Sequence, residues 1–346
     1  MNFEDFKNSY QKKSVIEYQN DITITPLLSI CIQTYNQVKF IKECLDGILM
    51  QQTNFDFEIL LGEDASIDGT REICMEYAKR HPDKIRLFLH NRENNISISG
   101  SPTGRFNFLY NLYSTKGKYI ALCEGDDYWT DPLKLQKQVD FLEANPEYVI
   151  CFTDTKIQIG GSLINNNLIV PKNYEAIETL ASVGNYIHTP TVVFKNIVKE
   201  FPSQLYLSPI GDYFIYMLLA EKGKIHFINE YTTVYRKNVG TFSSLEDNIQ
   251  YQKMTTCRAQ LYDYFNNKNN IIITETLKSK VIQYFRDTDK IFNLNEIRII
   301  TKNEELTLAV LEYFYLYSKQ KQYLNSISSW DLVKIFIQRL LKKNKD

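Results

Sequence analysis

The sequence predicts an α/β fold, a mostly parallel sheet with helices on both faces, followed by a helical C-terminal appendage. Three observations carry this. Short apolar runs recur through the first 152 residues and alternate with stretches of helical periodicity, the pattern of parallel strands buried on both faces. Three of those runs end directly in a polar or acidic cluster, as strand ends do where they open onto a ligand cleft. Beyond Leu245 the strand signal stops and helical spacing takes over.

Residues 1–25 read as a polar leader with weak helical character. Pro26 opens Leu27-Leu28-Ser29-Ile30-Cys31-Ile32, a buried strand closed by Gln33-Thr34-Tyr35-Asn36. Ile41, Cys44, Leu45, Ile48 and Leu49 then fall at helical spacing as far as Gln52. A second strand over 57–61 ends in the loop Gly62 to Thr70, and a helix covers 70–80. A strand over 85–90 and a helix over about 106–113 lead to the apolar run Tyr119-Ile120-Ala121-Leu122. A helix from Pro132 to Ala144 carries proline in its first turn, where a missing N–H costs nothing. A strand over 148–152 completes the alternation. Residues 153–187 are less regular and suit a hairpin or flap. A strand over 188–194 follows, then an apolar helix opened by Gly211-Asp212, then strands over 224–229 and 231–235. Helices over 248–265, 275–291, 303–319 and 330–342 fill the remainder.

At 346 residues and 44% hydrophobic, the chain is long enough for two domains and too apolar to be disordered. A net charge of −1 supplies no field to draw it onto nucleic acid. The six cysteines are scattered without a Cys-x-x-Cys pair, which fits buried reduced thiols rather than a zinc site or disulfide framework. Residues 1–20 lack the apolar stretch of a signal peptide, and no apolar run is long enough to span a bilayer. The expectation is a soluble cytoplasmic protein.

The stretch that points to chemistry is Cys123-Glu124-Gly125-Asp126-Asp127-Tyr128-Trp129. Carboxylates crowded at a strand end are costly to bury unpaired. The usual way to hold them together is a divalent cation with hard oxygen ligands, Mn²⁺ or Mg²⁺, which keeps positions open for water and substrate phosphates. The clusters Thr34-Tyr35-Asn36, Glu63-Asp64 and Glu124–Asp127 each follow a strand and should converge on one sheet edge.

With these motifs in order, and with Gly117-Lys118-Tyr119-Ile120 and Pro132 flanking them, residues 26–243 resemble glycosyltransferase family 2, inverting nucleotide-sugar enzymes of the GT-A (Rossmann-like) fold. The resemblance implies a nucleotide-sugar half over 26–152 and an acceptor half over 153–244. It assigns Asp126 and Asp127 to the cation that bridges the donor diphosphate; their alternative is capping the turn before the Pro132 helix. Glu124 stands where the family usually begins its DxD motif with aspartate. Asp64 resembles the base-binding aspartate, and a carboxylate accepting from an imide N–H favours a UDP or dTDP donor. Thr34, Tyr35 and Asn36 would line the nucleoside pocket, with capping of the next helix as the alternative for Asn36. Arg105 would reach base or phosphate, or else lie solvated at a helix start. Asp68 reads as a helix N-cap. Trp129 is either an acceptor platform or a core anchor.

In the same resemblance Asp212 is the general base that deprotonates the acceptor hydroxyl; a helix N-cap is its ordinary alternative. Arg236 and Lys237 would clamp phosphate oxygens in a segment that closes over the donor, and Asn238 stands where the family has a histidine metal ligand. The partners implied are a UDP-sugar and a glycan or lipid-linked acceptor, in bacterial surface polysaccharide or glycoconjugate assembly. The basic amphipathic helix over 330–342 would either touch an anionic membrane surface or pack on protein, including a second subunit. Two rivals stand beside this reading. A sugar nucleotidyltransferase would want a glycine-rich loop that Gln33–Gln37 lacks, and an inactive nucleotide- or sugar-binding adaptor would explain Glu124 and Asn238.

Overall fold

Every residue from Leu28 to Thr34 is buried, so this run is a strand covered on both faces, and it lies in the middle of the sheet. The computed structural model describes residues 1–317 apart from 24, 99, 168, 241 and 289–291. In chain order the first half comprises α1 (Phe3–Tyr10), β1 (Ile16–Glu17), β2 (Leu28–Thr34), α2 (Ile41–Leu49), β3 (Phe57–Glu63), α3 (Thr70–Arg80) and β4 (Ile85–Leu89). A small ladder, β5 (Ser97–Ile98) and β6 (Ser101–Pro102), precedes α4 (Arg105–Ser114), β7 (Tyr119–Glu124), β8 (Tyr128–Trp129) and α5 (Lys134–Ala144). Then come β9 (Tyr148–Ile159), β10 (Ser162–Asn165), α6 (Ile177–Val183), β11 (Val192–Lys195), α7 (Ser203–Leu207), α8 (Gly211–Ala220) and β12 (Lys224–Arg236). The helices α9 (Asp247–Asn266), α10 (Ile271–Asp287), α11 (Leu294–Thr301) and α12 (Glu304–Tyr317) follow.

The main sheet runs β1-β4-β3-β2-β7-β11-β9-β12-β8, with β10 paired to β9. β4, β3, β2 and β7 are parallel, as the alternation predicts. Beyond β7 the sheet becomes mixed: β11 inserts antiparallel between β7 and β9, while β9 and β12 are parallel. The two strands expected over 224–235 are one strand, β12, whose register shifts near Ile228, Tyr231 and Thr233 mark bulges that read as a gap in sequence. The hairpin in the irregular stretch is β9–β10, turning at Gly160, whose φ is +57°.

The main core lies between the sheet and α2, α3 and α5, with Ile30, Ile32, Ile48, Leu61, Tyr119, Trp129, Leu135 and Val139 among its members. The leader packs on α4. Phe6 of α1 is fully buried, stacked on Phe106 at 5.0 Å, and Tyr113 donates to the Met1 carbonyl at 2.6 Å. The chain divides into two compact units, one of residues 1–207 with 211–245, the other of 208–210 with the C-terminal helices. In the second unit α11 is an eight-residue helix that periodicity missed, closed at its start by the Asn293–Glu296 capping box. The expected helix over 330–342 lies outside the described residues. No helix among the described residues is long and apolar enough to cross a membrane.

Candidate active site

Parallel pairing levels the strand ends. Thr34 stands opposite Glu63, and Gln33 opposite Glu124, so the three polar clusters meet at one edge. Two backbone bonds continue the ladders beyond the strands: Asp64 N–H to Thr34 O at 3.1 Å and Gly125 N–H to Gln33 O at 3.0 Å.

On one side of this edge Asp64 is buried. Its Oδ2 accepts from Arg92 Nη1 at 2.7 Å and Asn95 Nδ2 at 3.0 Å, while Oδ1 has no hydrogen-bond partner. Burial raises its pKa, and Asn95 and Arg92 oppose the rise. The Arg92 guanidinium also lies 3.8 Å over the half-exposed Tyr35 ring. Asn36, at φ +50°, accepts from Ile67 N–H at 3.0 Å and donates its own N–H to Ser66 Oγ at 2.9 Å. It therefore stitches the first loop to the second and does not cap α2, which lacks a side-chain cap. Thr34 is buried and donates to Gln37 Oε1 at 2.8 Å. Asp68 is not the N-cap of α3, which is Gly69 at φ +103° without a side-chain cap bond. One place earlier, Asp68 accepts from Thr70 N–H at 3.0 Å and from Val38 N–H at 3.1 Å, which ties the second loop to the first.

At the centre sits the acidic loop. Burial, then Asp126 and Asp212, push the Glu124 carboxyl up to about 8, with Arg105 opposing. Burial also raises Asp126, against Arg236 and a hydrogen bond from Gln37. Asp127 is raised well above the carboxylate range by burial and by Asp126. Its Oδ1 accepts from Arg236 N–H at 2.8 Å, which ties the loop to β12, and its buried Oδ2 has no hydrogen-bond partner. Gly240 comes so near that a Cβ there would stand 2.7 Å from Asp126 Oδ2.

On the far side Asp212 is the second residue of α8, one place inside the helix rather than at its cap. Its Oδ2 accepts from Thr189 Oγ1 at 3.1 Å and Asn185 Nδ2 at 3.3 Å, and Oδ1 from Tyr213 N–H at 2.7 Å. Burial raises its pKa, and these bonds and Arg105 pull it back. Arg105 is buried, not solvated, and its guanidinium lies so close on Gly211 that a Cβ there would fall 1.6 Å from Nη1. It acts on Glu124 and Asp212 together.

Residues 29–201, half of the chain, match the family described as Glycosyl transferase family 2. The chain belongs to this family. An uncharacterized protein of Mycobacterium tuberculosis is 36% identical over 61% of this chain and 59% of its own length. The chondroitin synthase of Pasteurella multocida is 25% identical over 85% of this chain but only 30% of its own length. The chain thus spans well under two thirds of these relatives. Among solved structures, S. aureus TarS 1-349 in complex with UDP-GlcNAc aligns at TM-score 0.52 and 15% identity over 83% of this chain and 84% of its own. The Pyrobaculum calidifontis mannosyltransferase PcManGT, in complex with GDP-Man and Mn²⁺, aligns at TM-score 0.51 and 15% identity over 94% and 85%. At this identity they establish the fold, which is GT-A.

The closing segment and Trp129 carry further residues expected at the site. Arg236 is buried and engaged: it forms an ion pair with Glu43, donates through Nε to Gln158 Oε1 at 3.1 Å, and bonds the Asp126 carbonyl through Nη1 at 2.5 Å. A guanidinium so committed braces the acidic loop. Trp129 is 1% exposed, inside the main core, with Lys134 Nζ 4.3 Å over its ring. It is a core anchor, and α2 packs on it so closely that a Cβ at Gly47 would meet the Trp129 carbonyl at 2.6 Å. Asn238 is exposed at φ +66°, with its N–H held by Ser243 Oγ at 3.2 Å, and Gly240 is the residue that approaches Asp126. Lys237 is exposed beside it.

The residues sequence reasoning missed are Arg92, Gln37, Asn185 and Thr189. Arg92 had a signal, because the rule that singles out polar residues after β2, β3 and β7 applies equally to those after β4. The other three had none, since each matters through a partner far along the chain or through one loop bond.

Proposed function

We propose that this chain is a cation-dependent, inverting glycosyltransferase that moves a sugar from a UDP-type donor to an acceptor hydroxyl in polysaccharide or glycoconjugate assembly. The observation that carries the proposal is the level strand ends, which bring Asp64 and the acidic loop to one edge while Asp212 acts electrostatically on Glu124. The unpartnered Oδ1 of Asp64 suits the imide N–H of uracil, with Tyr35 and Arg92 beside it.

Among the described residues no cluster of three or more His, Cys, Asp or Glu side chains forms a ready metal cage. The donor set nevertheless fits a hard divalent ion that takes most of its ligands from phosphates and water. Burial raises the carboxyls of both Asp126 and Asp127, and Asp127 Oδ2 has no hydrogen-bond partner, so a cation here would supply the positive charge that their ionised forms lack. Mn²⁺ or Mg²⁺ bound there would offset the charge that builds on the departing diphosphate. Lys237 is the side chain of the closing segment with a cation to add. Asp212 takes the proton of the acceptor hydroxyl as its oxygen bonds to the anomeric carbon and the bond to the diphosphate breaks, inverting that carbon.

The test is release of UDP from UDP-glucose, UDP-galactose, UDP-GlcNAc, UDP-GalNAc and UDP-glucuronate with Mn²⁺, repeated after chelation, with UDP binding followed by calorimetry. Turnover of one donor that chelation abolishes is expected. UDP affinity indifferent to Mn²⁺ removes the cation, and UDP binding without turnover of any donor favours an adaptor.

A further inference from the structure

We propose that Thr189 and Asn185 are positioning residues that hold the Asp212 carboxylate with Oδ1 turned to the acceptor hydroxyl; this rests on Asp212 being the base.

A carboxylate offers two oxygens with about four acceptor positions. Thr189 Oγ1 at 3.1 Å and Asn185 Nδ2 at 3.3 Å fill both positions on Oδ2. Oδ1 receives one bond, from Tyr213 N–H at 2.7 Å, and so keeps a position for a proton. The two donors therefore decide which oxygen does the chemistry and fix the plane of the group.

They stand on a turn that is itself tied down. Asn185 Oδ1 accepts from Ile187 N–H at 3.1 Å, and Thr191 Oγ1 donates to the His188 carbonyl at 2.7 Å. The Thr191 carbonyl accepts from Gln138 Nε2 at 2.9 Å, and Gln138 Oε1 accepts from buried Lys134 Nζ at 2.8 Å. Lys134 lies over Trp129, two residues beyond Asp127, so one buried polar chain links the turn to the end of the acidic loop. A base held this way enters the reaction already oriented, and displacement of a reacting group by about 1 Å costs on the order of a hundredfold in rate. Both donors are neutral, so they orient the carboxylate without the charge that would weaken it as a base. The charged and titratable groups facing Asp212 are Arg105 of α4, Glu124 of β7, Tyr216 of α8 and Tyr235 of β12.

The experiment uses the full chain and whichever donor of the panel above turns over. Thr189→Val keeps the shape and removes the hydroxyl; Thr189→Ser keeps the hydroxyl. The first should lower kcat about tenfold to a hundredfold with donor KM and Mn²⁺-dependent UDP affinity unchanged, and the second should restore it. Asn185→Asp places an acceptor where a donor stood. It should lower kcat and move the acid limb of its pH profile to higher pH, a shift that general loosening of the fold would not produce. If Thr189→Val fails to fold, the Asn185→Asp profile decides alone. Wild-type kcat in Thr189→Val, or an unmoved profile in Asn185→Asp, overturns the assignment even where Asp212→Asn is inactive. Full transfer by Asp212→Asn instead overturns the base reading itself.

Discussion

Asp64 and Asp212 stand on opposite sides of one acidic loop, both raised by burial, yet they are held by different chemistry. Asp64 is clasped by a guanidinium, Arg92, at 2.7 Å, and by an amide. Asp212 is held by a hydroxyl, an amide and a backbone N–H, with Arg105 acting through space. A carboxylate that only has to accept a hydrogen bond gains from a fixed cation beside it. One that has to take a proton loses basicity to such a cation and is better oriented by neutral donors. On the proposed roles, the same side chain is fitted for binding in one place and for proton transfer in the other.

The sharpest way to break this comparison is to exchange charge for amide at each position. Asp212→Asn should cut kcat by about 10²–10⁴-fold, the range of a lost general base, with the UDP dissociation constant from calorimetry unchanged. Asp64→Asn should do the reverse, weakening UDP about tenfold to a hundredfold while kcat at saturating donor survives. Equal losses in both parameters for both variants would erase the distinction. Arg92→Ala should resemble Asp64→Asn at the low end of its range, since it removes the cation and leaves the carboxylate.

Glu124, between the two sides, gives a stability test. Its folded pKa of about 8 exceeds the ordinary 4.5, so the folded protein keeps a proton that the unfolded chain releases. Stability from this group is full below about pH 4.5 and is lost as pH rises towards 8. In chelator-treated protein the melting temperature should fall more steeply across that window for wild type than for Glu124→Gln; parallel curves would refute the shift. The smallest effect on chemistry is expected from Trp129→Phe. It should cost about 1–3 kcal/mol of stability in urea unfolding and leave acceptor KM unaltered, as suits a core residue outside both sides of the comparison.

The half over residues 26–152 was the more legible. Its strands are continuous apolar runs, and each polar cluster follows its strand within a few residues, so local pattern and the parallel-sheet rule together placed Thr34, Asp64 and Glu124 at one edge. The half over residues 153–244 was less so. β11 enters antiparallel, β12 carries bulges, and Asp212 is held by residues 23 and 27 positions earlier.

What the sequence alone determined is therefore the α/β alternation, the central strands and which loops carry acid, because burial on two faces and short-range turn chemistry are written in neighbouring residues. Tertiary structure alone decided that Arg236 braces a loop, that Trp129 is core, that Arg92 belongs to Asp64 and that Thr189 belongs to Asp212. Each of those depends on which distant group fills the remaining hydrogen-bonding or packing position, and such pairings arise only when the sheet closes.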